Sequence, residues 1–290
     1  MFERIKRNVK EALDFELLFC YNKSRLGRRK IMSHKIDRVG ETNISMQGCK
    51  MTVVAYRNNN DIDVLFDDYN CIKEHMTYHF FKKGQIKNPM FPSVCGVGYI
   101  GIGNYIPKEN GKKTEQYECW EAMFRRCYID KQPWYNGCSV GGNFVNLQYF
   151  GEWYDKNKWN DNIRMTVDKD ILVKHNTVYC EDRCLLVDKT INNIFIKRKK
   201  DTSELPRGVV RKREKYSVNV HDTYSHLINP NGKVVRHVGT FNNVDDAFNA
   251  YKREKESIIK NVANYYKERF PKFPNNLYDA MMNYEVLKDD

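Results

Sequence analysis

Apolar residues recur at helical spacing near the start of the chain, at Phe2, Ile5, Val9, Ala12 and Leu13, which predicts an amphipathic helix over 2–19 that docks on the body or on a second subunit. Arg25, Arg28, Arg29, Lys30 and Lys35 then form a basic stretch, either a linker or an arm that touches phosphate. From 36 to about 103 the pattern shortens to strand length. Met51–Tyr56 and Ile62–Phe66 flank the Asn-rich link 57–61, a hairpin signal. Cys71–Met76 continues the meander, and 78–83 turns helical. The Gly-rich run 94–103 lacks the Gly-Lys-Ser/Thr of a phosphate-binding loop, so its glycines are read as turn formers.

The period lengthens again at 118–128, where Trp120, Met123, Phe124 and Cys127 share one helical face, and at 143–154, where Phe144, Leu147, Phe150 and Trp153 do the same. Core packing is the expected role of these aromatics. The stretch 167–195 reads as strand, polar turn, strand and helix start. Val167, Ile171 and Val173 give one apolar series, Asn176-Thr177 the turn, and 184–187 a short buried strand. Between 196 and 215 there are nine Lys or Arg against three acids, broken by Pro206 and Gly208. Three strands and a long helix follow, the helix capped by Thr240 or Asn243 and covering the sheet with Ala247, Phe248 and Tyr251. A short helix around 277–286 packs back on that domain. The expected fold class is α+β.

Composition narrows the function. The chain has 290 residues, 41% of them hydrophobic, enough for two or three domains with real cores. No run approaches the roughly 20 apolar residues that span a bilayer, and no signal peptide is visible, so a cytoplasmic protein with no membrane partner is expected. The net charge of +12 points to a polyanion, nucleic acid before others. The nine cysteines include no C-x2-C pair, which favours buried free thiols over zinc.

The strand–turn–strand–helix order of 167–195 resembles the ββα-metal core of HNH nucleases in the form found in bacteriophage proteins. That resemblance places Asp168 at a metal-ligand position, Asn176 at the loop Asn, and Asn192 or Asn193 at the ligand position on the helix. Lys169 falls where the family has its general-base His. A lysine between Asp168 and Asp170 is held charged and is a poor base at neutral pH, so the resemblance implies a retained scaffold without efficient cleavage. The W-x2-M-x2-R-x-Y and N-F-x5-F-x2-W signatures (from Trp120 and Asn143) match that family's supporting helices. Residues 38–99 are similar to a small β module that precedes the core in such proteins.

The pattern over about 205–262, with K-Y-S-V, G-T-F and D-A-F-x-A-Y-K, resembles the Apetala-two (ethylene-response-factor) DNA-binding domain. Its sheet enters the major groove, which makes Arg207, Arg211, Arg213, Lys215, Tyr216 and Arg236 the candidate DNA contacts, Arg reading guanine and Lys neutralising phosphate. The expected organisation is therefore an N-terminal helix and basic linker (1–35), a β module (36–110), a degenerate HNH-like core (111–196) and a DNA-binding domain with a helical tail (205–290).

The expected function is that of a phage-encoded protein which binds double-stranded DNA in the infected bacterial host, derived from a homing-type endonuclease and needing no cofactor. One alternative is an anti-defence protein that binds and inhibits a host antiphage nuclease complex, with a homo-oligomer wrapping its target. The other is an active endonuclease using a divalent metal such as magnesium on Asp168.

Overall fold

The computed structural model describes residues 37–130, 132–195, 205–232 and 234–288. The predicted N-terminal helix, the basic stretch 25–35 and the first half of the basic linker lie outside them. The chain divides into two units, 1–86 and 87–290.

The first unit is an antiparallel meander of β1 (Thr42–Ile44), β2 (Lys50–Asn58), β3 (Asp61–Phe66) and β4 (Cys71–Met76), closed by helix α1 (Tyr78–Lys82). The Asn-rich link does form the β2–β3 hairpin, with Asn58 paired to Asp61. Alternation buries Met51, Val53, Ile62, Val64 and Phe66 beneath Phe81 of α1. One charged group is buried with them. Asp63 is fully covered and accepts from Arg57 Nη1 (3.0 Å) and from the His75 backbone N–H (3.1 Å), while Arg57 also reaches Asp61 (2.5 Å). Arg57 holds the more exposed Asp61 carboxyl at about 2, well below its usual value.

The second unit opens with a two-stranded ribbon, β5 (Lys108–Glu109) and β6 (Lys112–Lys113). Helix α2 (Glu115–Phe124) follows, widening into a π-turn over Arg125–Ile129, and then β7 (Ser139–Val140) and α3 (Leu147–Asn157). The helix starts later than 143, at Leu147, because a 3-10 turn occupies Gly142–Val145, and Asn146 caps it through a 3.0 Å bond from the Gln148 N–H. The HNH-like segment comprises β8 (Thr166–Asp168), β9 (Val178–Tyr179), β10 (Leu185–Val187) and α4 (Lys189–Phe195). β8 and β10 pair antiparallel, as expected, whereas β9 pairs in parallel with the distant β7.

The C-terminal part contains β11 (Val209–Lys212), β12 (Lys215–His221), the short helix α5 (Thr223–Ile228), β13 (Val235–Phe241), the long helix α6 (Val244–Arg269) and α7 (Asn275–Met282). The three strands form one antiparallel sheet covered by α6. Asn243 is the cap, its side chain accepting from the Asp246 N–H at 2.8 Å. Gly208, at φ +77°, admits the Tyr251 ring so closely that an added Cβ would lie 2.1 Å from it.

Two expectations about organisation change. The Gly-rich run belongs to the second unit: a Cβ at Gly98 would meet the Phe124 ring at 2.7 Å, so the glycine lets the loop lie on α2. The HNH-like core and the C-terminal domain also share one continuous hydrophobic core, from Trp120 to Val286. Trp159 joins them. Its indole N–H donates to Leu186 O of β10 at 3.0 Å, and its ring meets Tyr266, Phe270 and Phe273 edge-on. Buried Asp188, just after β10, accepts from the Tyr266 hydroxyl and from the Ile191 N–H.

Among the described residues no helix is long and apolar enough to cross a membrane, and the eight described cysteines are free thiols. Burial pushes Cys119, Cys127 and Cys184 up to about 12, which suits packing and not reactivity.

Candidate functional site

Four of the five residues placed by the HNH resemblance meet at one cleft of about 490 Å³: Asp168, Lys169, Asn176 and Asn192 all line it. Asn193, one position on, is exposed and outside it. The cleft is also lined by Arg126 from the π-turn, Lys174 and His175 from the loop, and Phe195 and Tyr284.

The local chemistry is that of a closed knot. Asp168 ends β8, and its Oδ1 accepts the backbone N–H groups of Asp170 and Ile171, each at 2.8 Å. Those bonds turn the chain, which is why the apolar series 167–173 does not continue as a strand. Burial raises the Asp168 carboxyl above the usual range, and the two N–H bonds oppose that rise. Lys169 is buried, and its ammonium donates to Asp170 Oδ1 (2.8 Å), Asp170 Oδ2 (2.9 Å) and Asn176 O (2.7 Å). An ammonium with three such acceptors has no lone pair to offer a water molecule. The Asn176 side chain donates to Lys169 O (3.0 Å) and Val178 O (2.8 Å) and accepts from the Val178 N–H (3.0 Å). It ties the loop together and has no donor left for a ligand.

The donor set does not suit a divalent cation. Asp168 offers one uncommitted carboxylate oxygen, buried beside a lysine cation, and Asn176 is fully used. Among the described residues the only group of three Asp, Glu, His or Cys ligand atoms close enough to share an ion is Asp61, Asp63 and His75. There the Arg57 guanidinium already bridges both carboxylates.

No family model, curated protein or solved structure matches this chain.

The C-terminal sheet separates the six predicted DNA contacts. Arg211, Arg213 and Lys215 are exposed at the β11–β12 hairpin. Tyr216 pairs with Arg211 and Phe241 and packs on the core at the helix-covered side. Arg207 lies beside Tyr251, Lys255 and Ile259, again on the helix side. Arg236 is exposed but paired within the fold. It donates to Glu254 of α6 at 2.7 Å and sits 3.4 Å from Asp222, so its charge is compensated within the fold. A bulge in β13 sets its face: Val218 pairs with Gly239 but Asn219 pairs with His237, so Val238 is extra and Arg236, opposite Val220, stands on the helix-covered side. His237 takes the outer face, within 3.5 Å of Ser217 and Asn219. Alternation along β11 also places Lys212 outward, a residue the sequence comparison passed over.

Proposed function

We propose that the protein binds double-stranded DNA through the outer face of its C-terminal sheet, and that the HNH-like segment serves as scaffold without efficient cleavage. The observation that carries this reading is the β11–β12 hairpin. Lys212 and Lys215 sit directly opposite each other, both exposed, with Arg213 at a left-handed φ of +57° in the turn; Arg211, which shares the face of Tyr216, is exposed at the same end of the hairpin. Like charges across a ladder destabilise a sheet, and a phosphate backbone relieves that repulsion. The rest of the outer face mixes the polar Asn219, His237 and Thr240 with the exposed Val210 and Val235, while Ser217 is buried among them. The spent Lys169 ammonium supports the absence of efficient cutting.

Salt tests the first part. Four neutralised phosphates give a slope of about −3.6 in log affinity against log salt, so duplex affinity should fall about a hundredfold between 50 and 200 mM salt. A flat response, or no binding at low salt, would sink the idea. Supercoiled plasmid incubated with magnesium or manganese should stay unnicked. Nicking that Asp168→Ala abolishes would instead restore the endonuclease reading.

A second reading, the phage anti-defence protein that clamps a host nuclease complex, draws on the first unit. Ile44 and Met46 are 64% and 81% exposed on and just after an edge strand, and Phe80 is 48% exposed on α1, against which that strand is tied by Asn43. Exposed apolar groups clustered at a sheet edge suit a protein partner. Host proteins that stay bound after nuclease treatment would favour this reading over DNA.

A further inference from the structure

We infer that residues 2–19 of this chain dock along the seam between β1 and α1 in the first unit and cover the apolar side chains exposed there. The inference uses none of the DNA-binding surface. It sets one condition on the anti-defence reading: a host protein that takes this seam must first displace the segment.

The seam is stitched from both sides. Asn43 of β1, the edge strand of its sheet, donates to Phe81 O (2.7 Å) and Lys82 O (3.1 Å). Just past the strand the Met46 N–H donates to Gly84 O at 2.7 Å. Gly84, at φ +65°, makes that approach possible, since an added Cβ would lie 2.7 Å from Ile44 O. Val39, Ile44, Met46 and Phe80 stand exposed along this line. Among the described residues of the first unit, only Tyr69 joins them as a large exposed hydrophobic. Exposed apolar residues gathered in this way mark an interaction surface, and folded sheets commonly cover such an edge with a helix.

The unit needs that cover. Among the described residues its sheet is closed by α1, a helix of five residues. A domain of about 60 residues buries only about 60% of the surface its unfolded chain exposes. The described part of this unit, residues 37–86, is smaller still. Apolar area added at its edge therefore weighs more than it would in the larger second unit.

Pattern, reach and concentration select the occupant. Phe2, Ile5, Val9, Ala12 and Leu13 fall on one side of a helical turn, and Arg4, Arg7, Glu11 and Asp14 fall on the other, so the stripe needs a surface outside its own helix. The described chain begins at Asp37, whose carboxylate accepts from the Val39 N–H at 3.0 Å, so the segment enters at the seam itself. Residues 20–36 reach up to about 56 Å at about 3.3 Å per residue. A helix over 2–19 is about 27 Å long at about 1.5 Å per residue, and the path from Val39 to Met46 covers about 23 Å at about 3.3 Å per residue, so the two match in length. A segment tethered at that range meets the seam at an effective concentration in the millimolar range, far above that of a second copy free in solution.

The test is photocrosslinking of the full chain with p-benzoylphenylalanine in place of Phe80, which is exposed and lies outside the core. Equal amounts of unlabelled and isotope-labelled chains are mixed before irradiation, and the adducts are mapped by mass spectrometry. Adducts to residues 2–19 within one chain are expected, at a yield that holds on about tenfold dilution. Val9→Asp sets a carboxylate in the stripe and should cut that yield by about tenfold or more, whereas Arg7→Gln on the opposite side should leave it unchanged. Should the probe at Phe80 prevent folding, Met46, the most exposed of the four, carries it instead. Adducts that join two chains, adducts to none of residues 2–19, or a Val9→Asp yield equal to the native one would overturn the inference. Capture of host proteins after nuclease treatment tests the anti-defence reading by itself, and neither result depends on the other.

Discussion

Replacing Arg211, Lys212 and Lys215 by Gln and Arg213 by Asn should lower affinity for duplex DNA by about four-thousandfold at 0.1 M salt, since each neutralised phosphate is worth about 0.9 of a decade there relative to 1 M. The salt slope should shrink by about 3.6 in the same measurement. Asn is chosen for position 213 because its short polar side chain tolerates the left-handed backbone. All four side chains are exposed, and removing the Lys212–Lys215 opposition relieves strain in the ladder, so the melting temperature should hold or rise slightly. Gel-shift titrations at two salt concentrations, beside a thermal melt, read both quantities. A variant that binds DNA as tightly as the native chain would remove the hairpin from the interface.

Trp159→Ala should cost the second unit about 3–5 kcal/mol, the range for emptying an aromatic site in a core. Trp159 is almost wholly buried, and three aromatic rings from the C-terminal part stand edge-on around it. The substitution also strips Leu186 O of its indole donor inside the core. Trp159→Phe keeps a ring in the cavity and loses that donor, so it should cost about 1–3 kcal/mol. Urea denaturation of the two variants measures the difference. A loss below about 1 kcal/mol for Trp159→Ala would mean that the aromatic cluster adds little beyond contact.

Local patterns carried much of the fold. The Asn-rich hairpin, the pairing of 166–168 with 185–187, the aromatic faces of the two middle helices and the three-strand-plus-helix end were all readable from periodicity and turn residues. What escaped depends on long-range pairing or on a single extra residue. The parallel contact of β7 with β9 joins segments nearly 40 positions apart and leaves no local trace. The bulge at Val238 inverts the alternation of β13, so Arg236 turns to Glu254 while His237 faces out. At the HNH-like site the positions were legible and the side-chain commitments were not. Asp168, Lys169 and Asn176 do converge, but Lys169 and Asn176 spend their polar atoms on the neighbouring backbone or on Asp170, and Asp168 spends one oxygen on two backbone N–H groups. Arg126 was visible only as one of two adjacent arginines. The π-turn distinguishes it, and that turn has no signature in a helical pattern.

The Asp188–Tyr266 bond and the Trp159 cluster bear on how such a chain could be assembled by recombination. A C-terminal domain borrowed from elsewhere would have to bring a phenol for a buried carboxylate and an aromatic face for the indole. Without them the recipient would hold an orphaned acid and an open hollow beside its ββα segment. An exchange of either half alone would thus strip buried groups of the second unit of their partners.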